Sequence, residues 1–268
     1  MQQPITKLAH IVNPVAVKKK SDLFAAQPVT FETMRTARAM AEASVKVDLF
    51  TAQFEEDRRI IPSFFTITED LDRSVLDLGE FKRKRKLPLL KDVLGRLYES
   101  SDAEYFIYTN VDIALMPQFY LVVDLLIRNG FDAFVINRRT IPAMPNRTAD
   151  IPLMYSTIGQ SHGGYDCFVF RRDSYPLFEL GNVCLGMAWV GRILLINLAA
   201  HAKRYQLIRD VHLTFHLGDD QTWRGNEYDD YKAFNEREGS MALKVLDQKY
   251  GPFNRATVPG IYLTDAWG

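Results

Sequence analysis

The sequence predicts an α/β fold in which a mostly parallel central sheet carries helices on both faces. Three observations lead there. Through the first half of the chain, short apolar runs of strand character alternate with segments whose apolar residues recur at helical spacing. The 268 residues are 47% apolar and 25% charged, enough to bury a substantial core, and read as one large domain. The polar residues that stand out chemically fall directly after predicted strands, where open parallel sheets place their ligands.

The elements follow in order. Residues 7–12 form an apolar strand stopped by Asn13-Pro14. Residues 30–43 carry Phe31, Met34, Ala37, Met40 and Ala41 at helical spacing, with Thr30 placed to cap and Glu32 near the positive helix end. Residues 45–50 form a second strand that leads into an irregular stretch. Pro88 opens a helix through Tyr98, because proline is tolerated in a first turn, and Ser100-Ser101-Asp102 closes it. Residues 104–109, rich in aromatic and β-branched side chains, form a third strand. A helix runs from Pro117 to about Arg128, Asn129-Gly130 ends it, and residues 131–136 form a fourth strand. Residues 137–164 hold prolines and arginines but little periodicity, and read as a long functional loop that closes as a lid. A strand at 166–170, an apolar helix at 185–202, a strand at 205–208 and a polar, aromatic tail from Asp219 complete the chain.

Composition excludes several function classes. With 33 basic and 33 acidic residues, the formal net charge is zero, so the whole-molecule attraction of a general nucleic-acid binder is missing. No apolar run approaches the roughly 20 residues that span a bilayer, and Met1-Gln2-Gln3-Pro4 lacks the features of a signal peptide. The expected location is the cytoplasm. Cys167 and Cys184 sit in apolar company without a Cys-x-x-Cys pattern and read as buried free thiols.

The sharpest chemical feature is Tyr108-Thr109-Asn110-Val111-Asp112-Ile113, which places polar side chains at the end of the third strand. An amide and a carboxylate separated by one residue can share a hard divalent cation, Mn2+ or Mg2+, whose preferred ligands are oxygens, while diphosphate oxygens complete its shell. A turn or helix cap is the other reading of the same residues.

This stretch resembles the DxD motif of GT-A glycosyltransferases, with asparagine in place of the first aspartate. The resemblance covers roughly residues 5–223 by order of elements and implies a GT-A-like fold with a Rossmann-type sheet. It divides a single domain into a nucleotide-binding half, about 1–136, and an acceptor-binding half with a C-terminal tail, about 137–268. His162-Gly-Gly-Tyr-Asp-Cys-Phe-Val-Phe170 is similar to the family's later strand, which carries an acidic residue near the acceptor. His212-Leu-Thr-Phe-His216, followed by Asp219, Asp220 and Trp223, resembles the histidine segment that completes the metal and diphosphate site.

The resemblance implies a donor substrate, a nucleotide-diphospho-sugar, and assigns roles residue by residue. Asp112, Asn110 and His216 become the metal ligands, neutral imidazole being a competent partner for manganese-like cations. Asp166 becomes the base that takes the proton of an acceptor hydroxyl, or the group that orients it. Asn13 and Pro14 end the first strand where the base and ribose would sit. Arg85, from the basic run 82–86 at a predicted helix start, and Arg138, after the fourth strand, become phosphate contacts. His10 and His201 read as structural. The expected partners are the nucleotide sugar and a glycan or small-molecule acceptor, with association to other domains or subunits of a glycan pathway compatible with the chain. Two rival readings are a catalytically silent nucleotide-sugar-binding module, favoured by the missing first aspartate, and a metal-dependent phosphoesterase or nucleotidyltransferase, for which clustered carboxylates are too few.

Overall fold

The computed structural model describes residues 5–219 and 225–253. Strand β1 (Thr6–Val12) sends Leu8 and Val12 to one apolar layer and Ala9 and Ile11 to the other, as the two-residue period of a strand requires. Helix α1 spans Leu23–Ala41, beginning well before the predicted 30–43. Thr30 is buried in its interior and caps nothing. Pro28 lies inside the helix on its exposed side. The amide of Gln27 anchors the preceding loop by bonding both the N–H and the carbonyl of Val15, each at 2.9 Å.

The next predicted elements lie close to their expected bounds, as β2 (Val45–Thr51), α2 (Leu90–Ser100), β4 (Tyr105–Thr109), α3 (Phe119–Arg128) and β6 (Ala133–Ile136), while two short strands between them, β3 (Thr66–Ile67) and β5 (Ala114–Leu115), were not expected from the sequence. Residues 137–164 are no featureless loop. They contain β7 (Arg139–Ile141), α4 (Ile151–Tyr155) and β8 (Gln160–Ser161), which with β5 and β11 (Thr214–Leu217) form a second, four-stranded sheet in the order β5-β11-β7-β8. Strand β9 (Cys167–Arg171) returns to the main sheet, followed by α5 (Val190–His201) and β10 (Tyr205–Ile208). The predicted helix 185–202 loses its first turn because Trp189 is left-handed, with φ 82 and ψ −25. The tail expected from Asp219 holds a 22-residue helix, α6 (Asp229–Tyr250).

The main sheet has seven strands in the order β10-β6-β9-β4-β1-β2-β3, and every pairing is parallel except the two made by β9. It is therefore mostly parallel with helices on both faces, as the alternating pattern predicts. Phe31, Met34 and Ala37 of α1 and Phe119 and Val123 of α3 cover one face. Leu90 and Val93 of α2, Ile193 and Leu194 of α5 and Leu246 of α6 cover the other. β4 lies mid-sheet with all five residues buried, so its carboxyl end is fixed from both sides. Both cysteines are buried free thiols. Among the described residues, no helix is long and apolar enough to cross a membrane.

Candidate active site

The antiparallel course of β9 decides which residues meet. Its first residue, Cys167, pairs with Thr109 at the end of β4 and with Ile136 at the end of β6. Asp166 therefore precedes β9 at the rim where Asn110 and Asn137 leave their strands. The phenol of Tyr108 is wholly buried there; burial and the charges of Asp112 and Asp166 push its pKa up. Its hydroxyl donates to Oδ1 of Asn110 at 3.0 Å.

The chain turns at Asn110, whose carbonyl accepts from Ile113 N–H, and presents Asp112 to β11 of the small sheet. There Nε2 of His216 lies 3.3 Å from Oδ2 of Asp112, while Nδ1 contacts the carbonyl of Gly218 at 2.8 Å. A carbonyl only accepts, so Nδ1 carries a proton and a neutral ring would turn the lone pair of Nε2 toward the carboxylate. A proton or a cation between the two groups removes that conflict. Burial lowers the imidazole's proton affinity, but the hydrogen bond and charge of Asp112 outweigh it and raise the pKa. For Asp112 burial acts upward, and His216 with the charge of Arg138 brings the net shift below the usual carboxylate range. Oδ1 of Asp112 is buried without a hydrogen-bond partner. That orphaned oxygen, facing the same rim as an oriented imidazole, fits a hard divalent cation. The pair is small for such a role: among the described residues, no three His, Cys, Asp or Glu side chains are grouped so that they could hold a metal ion.

A second pair flanks the first. Arg138 donates to Oδ1 of Asp166 at 3.2 Å, with both side chains about nine-tenths buried, and Oδ2 of Asp166 has no hydrogen-bond partner. His162 lies beside both, its Nε2 3.3 Å from the Arg138 guanidinium and its Nδ1 accepting from Gly164 N–H at 2.9 Å. Burial and the charge of Arg138 lower its pKa. Asp219 completes the group, 3.8 Å from Nε2 of His162. Asp112, His216, Arg138 and Asp166 thus share one electrostatic neighbourhood.

The remaining predicted residues stand apart from it. Asn13 donates to the carbonyl of Ala52 at 2.6 Å and ties the ends of β1 and β2, with Pro14 buried beside it. Arg85 is not at a helix start, since α2 begins five residues later. Its N–H is held by the Tyr231 hydroxyl, and its guanidinium lies 4.4 Å over Tyr228 and 3.4 Å from Glu227. Among the described residues, no hydrogen bond or ion pair joins Asn13 or Arg85 to Asp112. Arg139 binds the carbonyls of Ile158 and Gly159 and braces the small sheet. Asp220 and Trp223 lie outside the described residues. A groove of about 650 Å3 lies beside the loop after β1, lined by Val15, Phe24 and Ile60 among others, and no member of the Asp112 group lines it. Sequence reading missed Tyr108 and His162 as individual participants, although both stand in the motifs that point to the site.

No family model and no curated protein sequence matches the chain. Solved structures do. TarS of S. aureus superposes with a TM-score of 0.50 and 7% identity over 91% of this chain, which spans 42% of that protein. TarS residues 1–349 in complex with UDP-GlcNAc give 0.48 and 7%, covering 91% of this chain and 71% of that one. Glucosyl-3-phosphoglycerate synthase of Mycobacterium tuberculosis, in complex with Mn2+, UDP and phosphoglyceric acid, gives 0.48 and 13%, covering 93% and 80%. The TarS superposition shows a shared fold, the mostly parallel α/β architecture of the GT-A type.

Proposed function

We propose that the chain is a glycosyltransferase that moves a sugar from a nucleotide-diphospho-sugar to an acceptor hydroxyl with the help of a divalent cation. The observation that carries this reading is the 3.3 Å approach of His216 to Asp112 at the end of β4, with an unpartnered Asp112 oxygen beside it. Asp112 and His216 would hold Mn2+ or Mg2+, with Asn110 next to them. When bound, such a cation neutralises diphosphate charge and so stabilises it as a leaving group. Asp166 offers its free Oδ2 to the acceptor hydroxyl, either taking its proton or fixing its direction, while Arg138 holds the other oxygen and so sets the carboxylate's plane. Asn13 and Pro14 would border the nucleotide, and Arg85 and Arg138 would supply positive charge toward its phosphates.

Calorimetric titration with UDP tests the reading. Wild-type protein should bind more tightly with Mn2+ than without, Asp112→Ala should abolish that difference, and His216→Ala should reduce it. Equal affinity with and without metal, untouched by Asp112→Ala, would show the turn to be structural.

One observation favours the silent-module reading: the Asn110 oxygen is already engaged by Tyr108. Metal-dependent UDP binding without consumption of any UDP-sugar, alone or with acceptors, would select it.

A further inference from the structure

The groove beside the loop after β1, about 650 Å3 in volume, is walled largely by apolar side chains of two segments. Phe24, Pro28 and Phe31 stand at i, i+4 and i+7 on α1 and so share one face, while Ile60, Pro62 and Phe64 come from the segment between β2 and β3. Phe31 and Phe64 both pack on Phe65, with ring centroids 5.3 and 4.9 Å from it, which ties the two walls together. Phe24 remains 47% exposed, an aromatic surface that a ligand would take out of water. The lining side chains offer little hydrogen bonding. The Gln27 amide is spent on Val15 and Leu23, and Glu32, the one carboxylate of the lining among the described residues, is held by Arg35. A peptide brings an N–H and a carbonyl with every residue, each needing a partner once buried, whereas an alkyl chain needs none.

Positive charge prevails at the border of this groove. Arg59 lines it, is exposed and, among the described residues, makes no hydrogen bond or ion pair. Lys18, Lys19 and Lys20 lie on the chain between two lining residues, Val17 and Phe24, and their exposed side chains have no ion-pair partner among the described residues either. Asp22 is the one carboxylate of that stretch. Asp57, whose charge Arg59 feels, is buried and accepts from Ala16 N–H at 2.6 Å, and Asp70 and Glu55 act on Arg58. In a chain of zero net charge, four cations without a paired carboxylate beside one apolar groove complement an anion.

We propose that the groove binds an anionic amphiphile, its linear alkyl chain lying along Phe24, Phe31 and Phe64 and its phosphate or carboxylate head meeting Arg59 and the lysine triplet. The volume is that of a small-molecule site. No member of the Asp112 group lines the groove, so the proposal stands apart from the transferase reading. The test is calorimetric titration of the full chain with octyl phosphate, octanoate, octanol and inorganic phosphate, each below its micelle concentration. Octyl phosphate or octanoate should bind about tenfold or more tighter than octanol and than inorganic phosphate; the larger of the two margins identifies the head group. The combined variant Lys18→Gln, Lys19→Gln, Lys20→Gln, Arg59→Gln should erase the margin over octanol, and its retained octanol binding shows that it is folded. Phe24→Ser should weaken octanol and octyl phosphate alike, about fivefold or more. Equal affinity for octyl phosphate and inorganic phosphate, a margin that survives the combined variant, or no loss in Phe24→Ser overturns the proposal. Displacement of octyl phosphate by saturating UDP would place the anion at a nucleotide site and overturn it too, whereas absence of UDP binding removes the transferase reading and leaves the groove untouched. Binding of phosphatidylglycerol vesicles without binding of either octyl anion would make the patch a membrane surface instead.

Discussion

The side-chain amide of Asn235 closes both backbone bonds of Cys184, accepting from its N–H and donating to its carbonyl, each at 2.9 Å. Its second donor bond reaches the carbonyl of Ala188, also at 2.9 Å. One residue of α6 thus pins the loop that leads into Trp189 and α5. Asn235→Ala would leave these buried groups unpaired and should destabilise the protein by about 2–3 kcal/mol. Urea unfolding measures it, and a loss below about 0.5 kcal/mol would mean that the loop is held by packing alone.

His10 predicts a pH dependence. It is fully buried in β1, between the Tyr120 hydroxyl and Thr109 Oγ1, each at 2.9 Å. Burial lowers its pKa to about 3 from an ordinary 6.5. Above pH 6.5 the ring is neutral in both folded and unfolded chains. As the pH falls toward 3, only the unfolded chain takes up the proton, so stability is lost across that window. By pH 5 the loss should reach about 2 kcal/mol. His10→Gln should flatten this dependence, and an unchanged slope in that variant would move its origin elsewhere.

Gly239→Ala directs a methyl group into the Trp189 ring. Overpacking of this kind costs about 1–3 kcal/mol, and the displaced indole should show altered tryptophan fluorescence. An unshifted spectrum with unchanged stability would show that α6 yields to the methyl without strain.

Asn110→Asp tests the turn at the end of β4. One carboxylate oxygen can still accept from Tyr108, and the other adds a charged ligand beside Asp112. Mn2+-dependent UDP binding should tighten several-fold. Weaker binding would indicate that the added charge meets Asp112 with no cation between them.

The strands of the main sheet other than β3 were legible because their apolar residues follow a period that burial enforces on both sheet faces, and the positions of Asp112 and Asp166 were legible because one follows and the other precedes a strand, whereas His216 lies within β11, which sequence reading did not expect. Helix α6 was not. It buries Tyr231, Phe234, Asn235, Glu238, Gly239, Ala242 and Leu246, a true helical spacing, but four of the seven are polar or small, so an apolar pattern never emerges. Their burial is compensated by specific bonds, such as Glu238 to Asn182 at 2.8 Å, which local sequence does not reveal. The small sheet hid for a similar reason, since β7 and β8 are three and two residues long and owe their existence to pairing partners far along the chain. The engagement of Arg85 by Glu227 and Tyr228 likewise spans some 140 positions and leaves no local mark.

The placement of β9 bears on how the chain can be cut. β6 pairs only with β9 and β10, both of which come later in the sequence, and β4 has β9 as its second neighbour. A fragment ending at Ile136 would carry β6 with no partner and β4 with a bare row of amides and carbonyls, apolar on both sides. Such strands invite edge-to-edge association between molecules. Synthesis from the amino terminus passes through this exposed stage until β9 inserts, so a truncated first half is expected in inclusion bodies, and recovery of the site depends on the whole chain being present when the sheet closes.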